Sequence, residues 1–316
     1  MARLNTSSIR IGGLRCEYLA NPLALDVPRP RLSWALESGR PNEIQTAYQV
    51  IAASRRSLLK ADQGDLWNSG RVRSGQSTHV EYDGKRLVSG RRAYWKVRVW
   101  DGRGAVTAWS KAAWWEMGLL NPTDWKARWI GAPWEKDDAP PGPAPYLRKT
   151  FTLANAPARG RAYVSGLGYF ELHVNGQRVG KDVLVPNQTD YDRRPLRNLL
   201  YPYEDTGLKR VLYMTYDVTP FLKSGENVVG VWLGNGWYNQ QGRTIEGWMA
   251  YGARRLLLQL YTTNDSGKEK IVATDGTWRA ASSPILHDQV FTGETYDARR
   301  EVPGWATTGV SDARWR

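Results

Sequence analysis

Hydrophobic and polar residues alternate most regularly in a stretch near the middle of the chain, residues 169–174. One set comprises Tyr169, Glu171 and His173, and the other comprises Phe170, Leu172 and Val174. A period of two places these sets on opposite faces of a half-buried strand. The Asn175-Gly176 pair that follows predicts a tight hairpin turn, because both residue types tolerate positive φ angles.

Short strand patterns separated by turn residues fill residues 9–120. The candidate strands are residues 31–36, 47–53, 65–69, 78–82, 93–100 and 113–117. Only residues 57–62 favour a helical turn, and Trp34 and Tyr94 are predicted core residues. About seven short alternating strands in about 110 residues predict a β-sandwich of the immunoglobulin or fibronectin type III architecture over residues 1–120.

A proline-rich segment then interrupts the strand pattern. Residues 137–145 contain four prolines, which cannot donate to a β ladder. We therefore predict a linker over residues 121–145.

Strand patterns return from residue 146 to the end of the chain. The candidates are residues 147–153, 160–165, 169–174, 211–217, 227–233, 254–260, 270–273 and 289–296. Long loops between eight or more antiparallel strands predict an all-β jelly roll of the galactose-binding type over residues 146–316. The absence of a βαβ alternation argues against a doubly wound sheet and its nucleotide site.

Charge and composition narrow the function. The 316 residues carry a net charge of +13, but the basic residues are scattered, often in pairs such as Arg193-Arg194 and Arg254-Arg255. This pattern favours a solvated surface over a nucleic-acid site. A single cysteine, Cys16, excludes an internal disulfide framework. We expect no membrane span, and the N-terminus lacks the apolar core of a signal peptide, so a cytoplasmic protein is expected, or a periplasmic or secreted one if a signal was removed.

The high content of aromatic residues, 16 tryptophans and 16 tyrosines, is the most informative feature of the composition. Most must pack in cores, because exposing all of them would create large apolar patches. A minority near glycines could instead stack on a sugar while an amide binds its hydroxyls. The candidate sugar-binding residues are Asn235, Trp237, Tyr238, Trp248 and Tyr251. The alternative is that these rings pack against another domain.

Two groups of oxygen-bearing side chains are candidates for a metal site and for an acid pair. Asn187 and Asp190 lie close together in a segment rich in oxygen-bearing side chains, which suits calcium, although such residues also form simple turns. Glu294 and Asp297 could form an acid pair, but their odd spacing places them on opposite faces of a strand. A salt bridge to Arg299 or Arg300, or contact with another domain, is the preferred interpretation of this second group.

Several motifs in the chain resemble, in the same order, the N-terminal region of bacterial α-L-rhamnosidases. They are WKVRVWD (95–101), WS (109–110), GYFELHVNG (168–176), YDVT (216–219), LGNGWY (233–238) and GETYDAR (293–299). The resemblance implies a fibronectin-like sandwich, then a jelly roll related to carbohydrate-binding modules, in which calcium can assist sugar binding. It also places the catalytic carboxylates of the family in a separate helical (α/α)₆ barrel.

The resemblance therefore implies a non-catalytic region that supports or extends rhamnoside binding next to a catalytic barrel. By itself, this chain is expected to lack rhamnosidase activity. A free-standing lectin-like module that binds rhamnosides is the alternative, and a complete hydrolase with an unfamiliar active site is a third hypothesis.

Overall fold

The computed structural model describes residues 7–189, 191, 210–240, 249–313, 315 and 316. It divides the chain into a first unit, Met1–Trp125, and a second unit, Lys126–Arg316. The predicted linker therefore spans this boundary, and its residues from 126 onward pack in the second unit. The backbone N–H of Ala127 donates to Oε1 of Gln259 at 3.0 Å, and Ile130 pairs with Leu256. No helix among the described residues is long and apolar enough to span a membrane.

The first unit is a two-sheet antiparallel sandwich. One sheet has the strand order β1-β2-β5 and the other β4-β3-β6-β7, and one short helix follows β3. The elements are β1 (Arg10–Cys16), β2 (Arg31–Glu37), β3 (Gln45–Ala53), α1 (Arg56–Lys60), β4 (Trp67–Asn68), β5 (Val80–Glu81), β6 (Arg92–Asp101) and β7 (Ala113–Glu116). A 3₁₀ turn, Pro122–Asp124, ends the unit. Strand β1 was not among the predicted strands, because its Gly-Gly pair weakens the alternation.

Alternation along β6 separates the core of the first unit from its surface. Trp95, Val97 and Val99 are completely buried and pack in the sandwich core together with Trp34 and Trp115. The opposite face carries cations over half-buried rings. Arg98 lies 4.6 Å from the Trp109 ring and 5.3 Å from the Trp100 ring, which stabilises this face by cation–π attraction.

The second unit is a larger antiparallel sandwich, so the predicted all-β fold class is confirmed for both units. Its two main sheets have the orders β11-β10-β13-β8-β18 and β12-β9-β16-β17, and two further antiparallel strand pairs, β14-β15 and β19-β20, complete it. The strands are β8 (Pro145–Leu153), β9 (Arg159–Leu167), β10 (Tyr169–Val174), β11 (Gln177–Arg178), β12 (Met214–Asp217), β13 (Gly225–Gly234), β14 (Asn239–Gln240), β15 (Met249–Ala250), β16 (Arg255–Thr263), β17 (Glu269–Ala273), β18 (Arg279–Ser282), β19 (Ile285–Gln289) and β20 (Gly293–Tyr296). Short 3₁₀ turns occupy Thr219–Phe221 and Ala298–Arg300.

One predicted strand of the second unit was wrong. Residues 289–296 are not a single strand, because the chain reverses at residues 290–292 and forms the hairpin β19-β20. Gly293 has φ of +78°, a conformation that suits a turn and not a continuous strand. The hairpin brings Asp288 and Glu294 into register opposite each other.

The hairpin turn predicted at Asn175-Gly176 is confirmed. Asn175 and Gly176 have φ angles of +50° and +81°, and Val174 pairs with Gln177 across a two-residue loop. Positive φ at both central residues is the requirement of the type I′ turn that matches strand twist. Strand β10 also pairs with β13, which aligns Glu171 with Trp232.

Replacing Gly176 by alanine is expected to destabilise the second unit. The loss should exceed about 1–2 kcal/mol, which is the usual cost of a left-handed conformation for an L-residue. A Cβ atom at this position would lie 2.6 Å from Cγ2 of Thr307, so a steric clash adds to the strain. Gly225 is the matched control, because its φ is +82° and a Cβ there has no atom within 4 Å. Urea denaturation of both variants measures the difference, and equal losses would contradict the clash.

Candidate functional site

A cleft of about 490 Å³ opens on the second unit, on the face of its five-stranded sheet that points away from the core. Phe170, Leu172 and Val174 of β10 pack in the core, so the alternate residues of that strand face the cleft side. The floor is built by Tyr169, Glu171, Trp232 and Gly234, and the walls by Arg178, Val183, Leu184 and the hairpin residues Asp288, Gln289, Val290, Gly293 and Glu294. The cleft thus combines an aromatic floor with charged and apolar walls.

Cross-strand contacts fix the floor of the cleft. Glu171 lies opposite Trp232 in the β10-β13 register. The Trp232 ring is held by neighbouring side chains, because its Nε1 donates to Oγ of Ser283 at 2.9 Å and its ring centroid lies 4.9 Å from that of Tyr146 on the adjacent strand. The indole is therefore positioned before any ligand arrives.

Two cationic or protonatable groups flank the Glu171 carboxylate. Nε2 of His173 lies 3.6 Å from its Oε2, and Nη2 of Arg178 lies 3.3 Å from its Oε1. The proximity of His173 and the charge of Arg178 hold the pKa of Glu171 below its usual value, against the opposing effect of burial. Glu171 is therefore ionised at neutral pH and presents acceptor oxygens beside the Trp232 ring.

Exposed apolar side chains border the cleft on two sides. Val183 and Leu184 are 67% and 65% exposed on one wall, and Val290 and Phe291 are 39% and 55% exposed at the tip of the β19-β20 hairpin. Leu184 also has φ of +55°, which is unusual for a branched residue. Apolar surface concentrated around a concavity is typical of an interaction site.

A buried ionic network supports the hairpin wall from inside the sandwich. The Arg254 side chain is completely buried, and its Nε donates to Oε1 of Glu135 at 2.8 Å. Its Nη2 donates to the carbonyl oxygens of Gly142 and Pro143 at 2.7 and 3.2 Å, while Nη1 lies 3.6 Å from Oδ2 of Asp288. The Arg254-Arg255 pair was interpreted as surface charge, and for Arg254 that interpretation was wrong because two carboxylates and two carbonyls compensate its burial.

Asp288 connects this network to the loop after β13. Its Oδ1 accepts the backbone N–H of Asn235 at 2.6 Å, and its own carbonyl oxygen accepts Nδ2 of Asn235 at 2.8 Å. Gly234 leaves space for this contact, since a Cβ there would lie 3.3 Å from Oδ1 of Asp288. Arg254 therefore positions the hairpin, and through Asp288 the hairpin positions the glycine-flanked loop.

The Asp288 carboxyl is expected to titrate above the ordinary aspartate value of 3.8, because burial raises its pKa more than Arg254 and the Asn235 N–H lower it. The folded state then holds this proton more tightly than the unfolded state. This group alone makes the second unit less stable as pH rises from about 3.8 through the raised pKa. A ¹³C-carboxyl titration measures it, with Asp297 as control: its pKa is lowered, first by its hydrogen bond from Arg299.

The described residues among those predicted for sugar binding fall into two groups, and none of them lines the cleft. Asn235 is only 1% exposed and bonds the hairpin as described, while Trp237 packs edge-on against Phe291 at a centroid distance of 5.2 Å. Tyr238 stacks on Tyr251 at 5.7 Å, and Tyr191 contacts both rings at 5.1 and 5.4 Å. Trp248 lies outside the described residues. Sugar contact by these five residues stays a prediction.

The predicted metal group is described only in part, and the predicted acid group completely. Asn187 is exposed in the loop after Val185, and Asp190 lies outside the described residues. Within the described part of the chain, no three His, Cys, Asp or Glu side chains form a group able to hold a metal. Calcium at Asn187 and Asp190 stays a prediction. The predicted salt bridge is confirmed, because Nε of Arg299 lies 2.8 Å from Oδ1 of Asp297, whereas Glu294 lines the cleft.

Most cleft residues were absent from the sequence-based site, among them Glu171, Arg178, Trp232 and Asp288. For Glu171 a signal existed, because it lies on the polar face of the most regular alternation in the chain. The signal became specific only with the β10-β13 register, which sequence patterns do not supply.

The two sandwiches and the cleft define an all-β, two-unit protein whose second unit carries the candidate site. Two family profiles match it: the Rha78A-like N-terminal immunoglobulin domain over residues 11–121 and the α-L-rhamnosidase N-terminal domain over residues 155–316. The chain belongs to the α-L-rhamnosidase N-terminal domain family.

Similar proteins are consistently longer than this chain. An α-L-rhamnosidase from Formosa agariphila is 35% identical over 309 residues, which cover 95% of this chain and 31% of the relative. The structure of α-L-rhamnosidase from Dictyoglomus thermophilum matches with a TM-score of 0.84 and 34% identity, over 99% of this chain and 34% of that one. The α-L-rhamnosidase from Streptomyces avermitilis complexed with L-rhamnose matches with a TM-score of 0.86 and 26% identity, over 97% and 44%. The chain spans about a third of the length of its curated relatives.

Proposed function

We propose that the chain is the non-catalytic N-terminal β region of a longer α-L-rhamnosidase, where it supports or extends the binding of L-rhamnose-containing glycosides. The observation that carries this proposal is the order and extent of the family matches. Both N-terminal profiles match in sequence and together cover most of the chain, while relatives named α-L-rhamnosidase are about three times as long.

Two features of the second unit support a role in binding. The cleft has an aromatic floor next to the ionised Glu171 carboxylate, a combination that suits hydroxylated ligands with apolar C–H faces. In addition, the apolar rim of the cleft provides surface against which the catalytic part of the enzyme could pack. Of the carboxylates predicted as an acid pair, Asp297 is bound by Arg299 and is not placed to act with Glu294.

The test uses the purified chain in two assays. In the first, it is incubated with 4-nitrophenyl α-L-rhamnopyranoside, and no release of nitrophenol above the blank is expected. Turnover that is lost in the Glu294→Gln variant would contradict a non-catalytic role.

In the second assay, L-rhamnose is titrated into ¹⁵N-labelled chain with and without calcium. We expect saturable shifts in the second unit with Kd in the millimolar range, roughly −4 kcal/mol, because a monosaccharide offers few contacts. A calcium-dependent gain in affinity would support the predicted calcium site. No shifts at high millimolar rhamnose would contradict the binding role.

A further inference from the structure

We propose that the cleft between the β19-β20 hairpin and the loop carrying Val183 and Leu184 is a subsite for one 6-deoxyhexose unit, with Trp232 as its stacking platform and Glu171 and Arg178 as its hydroxyl-binding pair. The inference rests on the proposed function and specifies where on the second unit the rhamnosyl unit binds. It differs from the predicted site, because none of these residues belongs to the group around Asn235 and Tyr238.

The size of the cleft suits a single sugar unit. Its volume of about 490 Å³ lies at the small end of the range of about 300–1,000 Å³ that is usual for small-molecule sites. The cleft is open along one side, so a glycoside can place one ring inside while the rest of the molecule extends into solvent. An open cleft leaves the bound ring partly wet, which is consistent with weak binding.

The platform of the subsite is rigid. Ser283 and Tyr146 hold the Trp232 ring, so stacking a pyranose on it requires no ordering of the indole. Gly234, two residues along the same strand, has no side chain to occupy the space beside the ring. A preorganised aromatic face contributes contact area at little cost in entropy.

Glu171 on the floor and Arg178 on the wall of the cleft offer a hydrogen-bond acceptor and a hydrogen-bond donor at adjacent points. The Glu171 carboxylate accepts hydrogen bonds from hydroxyls, and the Arg178 guanidinium, 3.3 Å away, donates to hydroxyl oxygens. Adjacent hydroxyls of a pyranose can therefore bridge the pair. Hydrogen bonds to ionised groups are about twice as strong as neutral ones, so the pair should dominate affinity.

The apolar wall of the subsite distinguishes a 6-deoxyhexose from an ordinary hexose. Val183, Leu184 and Val290 present hydrocarbon to the cleft. A methyl group at C6 packs on such a wall without loss of hydration, whereas a hydroxymethyl group would lose hydrogen bonds to water there. L-Rhamnose and L-mannose differ only at this carbon, so they form a matched ligand pair.

The experiment titrates L-rhamnose and L-mannose into the ¹⁵N-labelled chain while following the indole N–H of Trp232. We expect the Trp232 signal to shift with rhamnose, and L-mannose to bind several-fold more weakly.

Glu171→Gln removes the charge but keeps the shape, and it should weaken rhamnose binding about tenfold. Glu226→Gln is the control, because Glu226 is an exposed carboxylate on the same strand as Trp232 and should leave Kd unchanged.

A second variant protects the test against misfolding. Trp232→Ala should abolish measurable binding, and its amide spectrum reports whether the sandwich is intact. If Trp232→Ala does not fold, the Glu171→Gln variant and the comparison of L-rhamnose with L-mannose still test the subsite. Saturable rhamnose binding that Glu171→Gln leaves unchanged would overturn this subsite while the proposed function stands. Equal affinity for both sugars would overturn the role of the apolar wall. Absence of rhamnose binding in the unmodified chain would overturn both proposals.

Discussion

Replacing Arg254 by alanine is expected to destabilise the second unit by about 3–5 kcal/mol, the usual cost of removing one member of a buried ionic group. The variant leaves Glu135, whose side chain is 3% exposed, without its cation, and it also removes the donors to the carbonyls of Gly142 and Pro143. Burial already raises the pKa of both Glu135 and Asp288, so each carboxyl would become still harder to ionise. Urea denaturation measures the loss.

Arg255 provides the control within the same pair of residues. Its side chain is 30% exposed and its Nη2 lies 3.2 Å from Oδ1 of Asp137, a carboxylate that is itself 70% exposed. Arg255→Ala should therefore cost at most about 1 kcal/mol, as is usual for exposed ion pairs. Similar losses in the two variants would contradict the assignment of Arg254 as the buried centre of the network.

The same pair of arginines shows what sequence patterns could and could not predict. Strand periodicity located β10 and its turn because the information is local, with each residue compared only with its neighbours. The burial of Arg254 depends on Glu135, more than a hundred positions earlier, and on Asp288, which reaches it from a separate hairpin. Two adjacent arginines therefore look alike in the sequence and differ completely in the fold.

In the candidate site, too, local patterns could be predicted and long-range contacts could not. Asn235 and Trp237 were predicted because glycines and aromatic residues stand together in one loop. The cleft itself depends on which strands pair: Glu171 and Trp232 are 61 residues apart and become neighbours only through the β10-β13 register. A slip of one residue would turn Glu171 toward the core, so no local pattern could place it beside the ring.

Replacing Trp115 by alanine is expected to destabilise the first unit by about 3–5 kcal/mol, because it leaves a cavity the size of an indole in the sandwich core. The Trp115 side chain is completely buried and packs edge-on against Tyr82 at a centroid distance of 5.5 Å. Its Nε1 is buried without a hydrogen-bond partner among the described residues. Trp115→Phe should therefore cost less, since it keeps an aromatic ring and removes an N–H group that the fold leaves unsatisfied.

The adjacent residue Trp114 is the control for this prediction. It lies on the opposite face of β7, half-buried, with the Arg92 guanidinium 4.2 Å from its ring. Trp114→Ala removes one cation–π contact and little core volume, so the expected loss is about 0.5–2 kcal/mol. Urea denaturation followed by circular dichroism compares the three variants. An equal loss of stability in Trp114→Ala and Trp115→Ala would contradict this prediction. It would mean that the outer face of the sheet stabilises the first unit as much as the core does, contrary to the burial along β7.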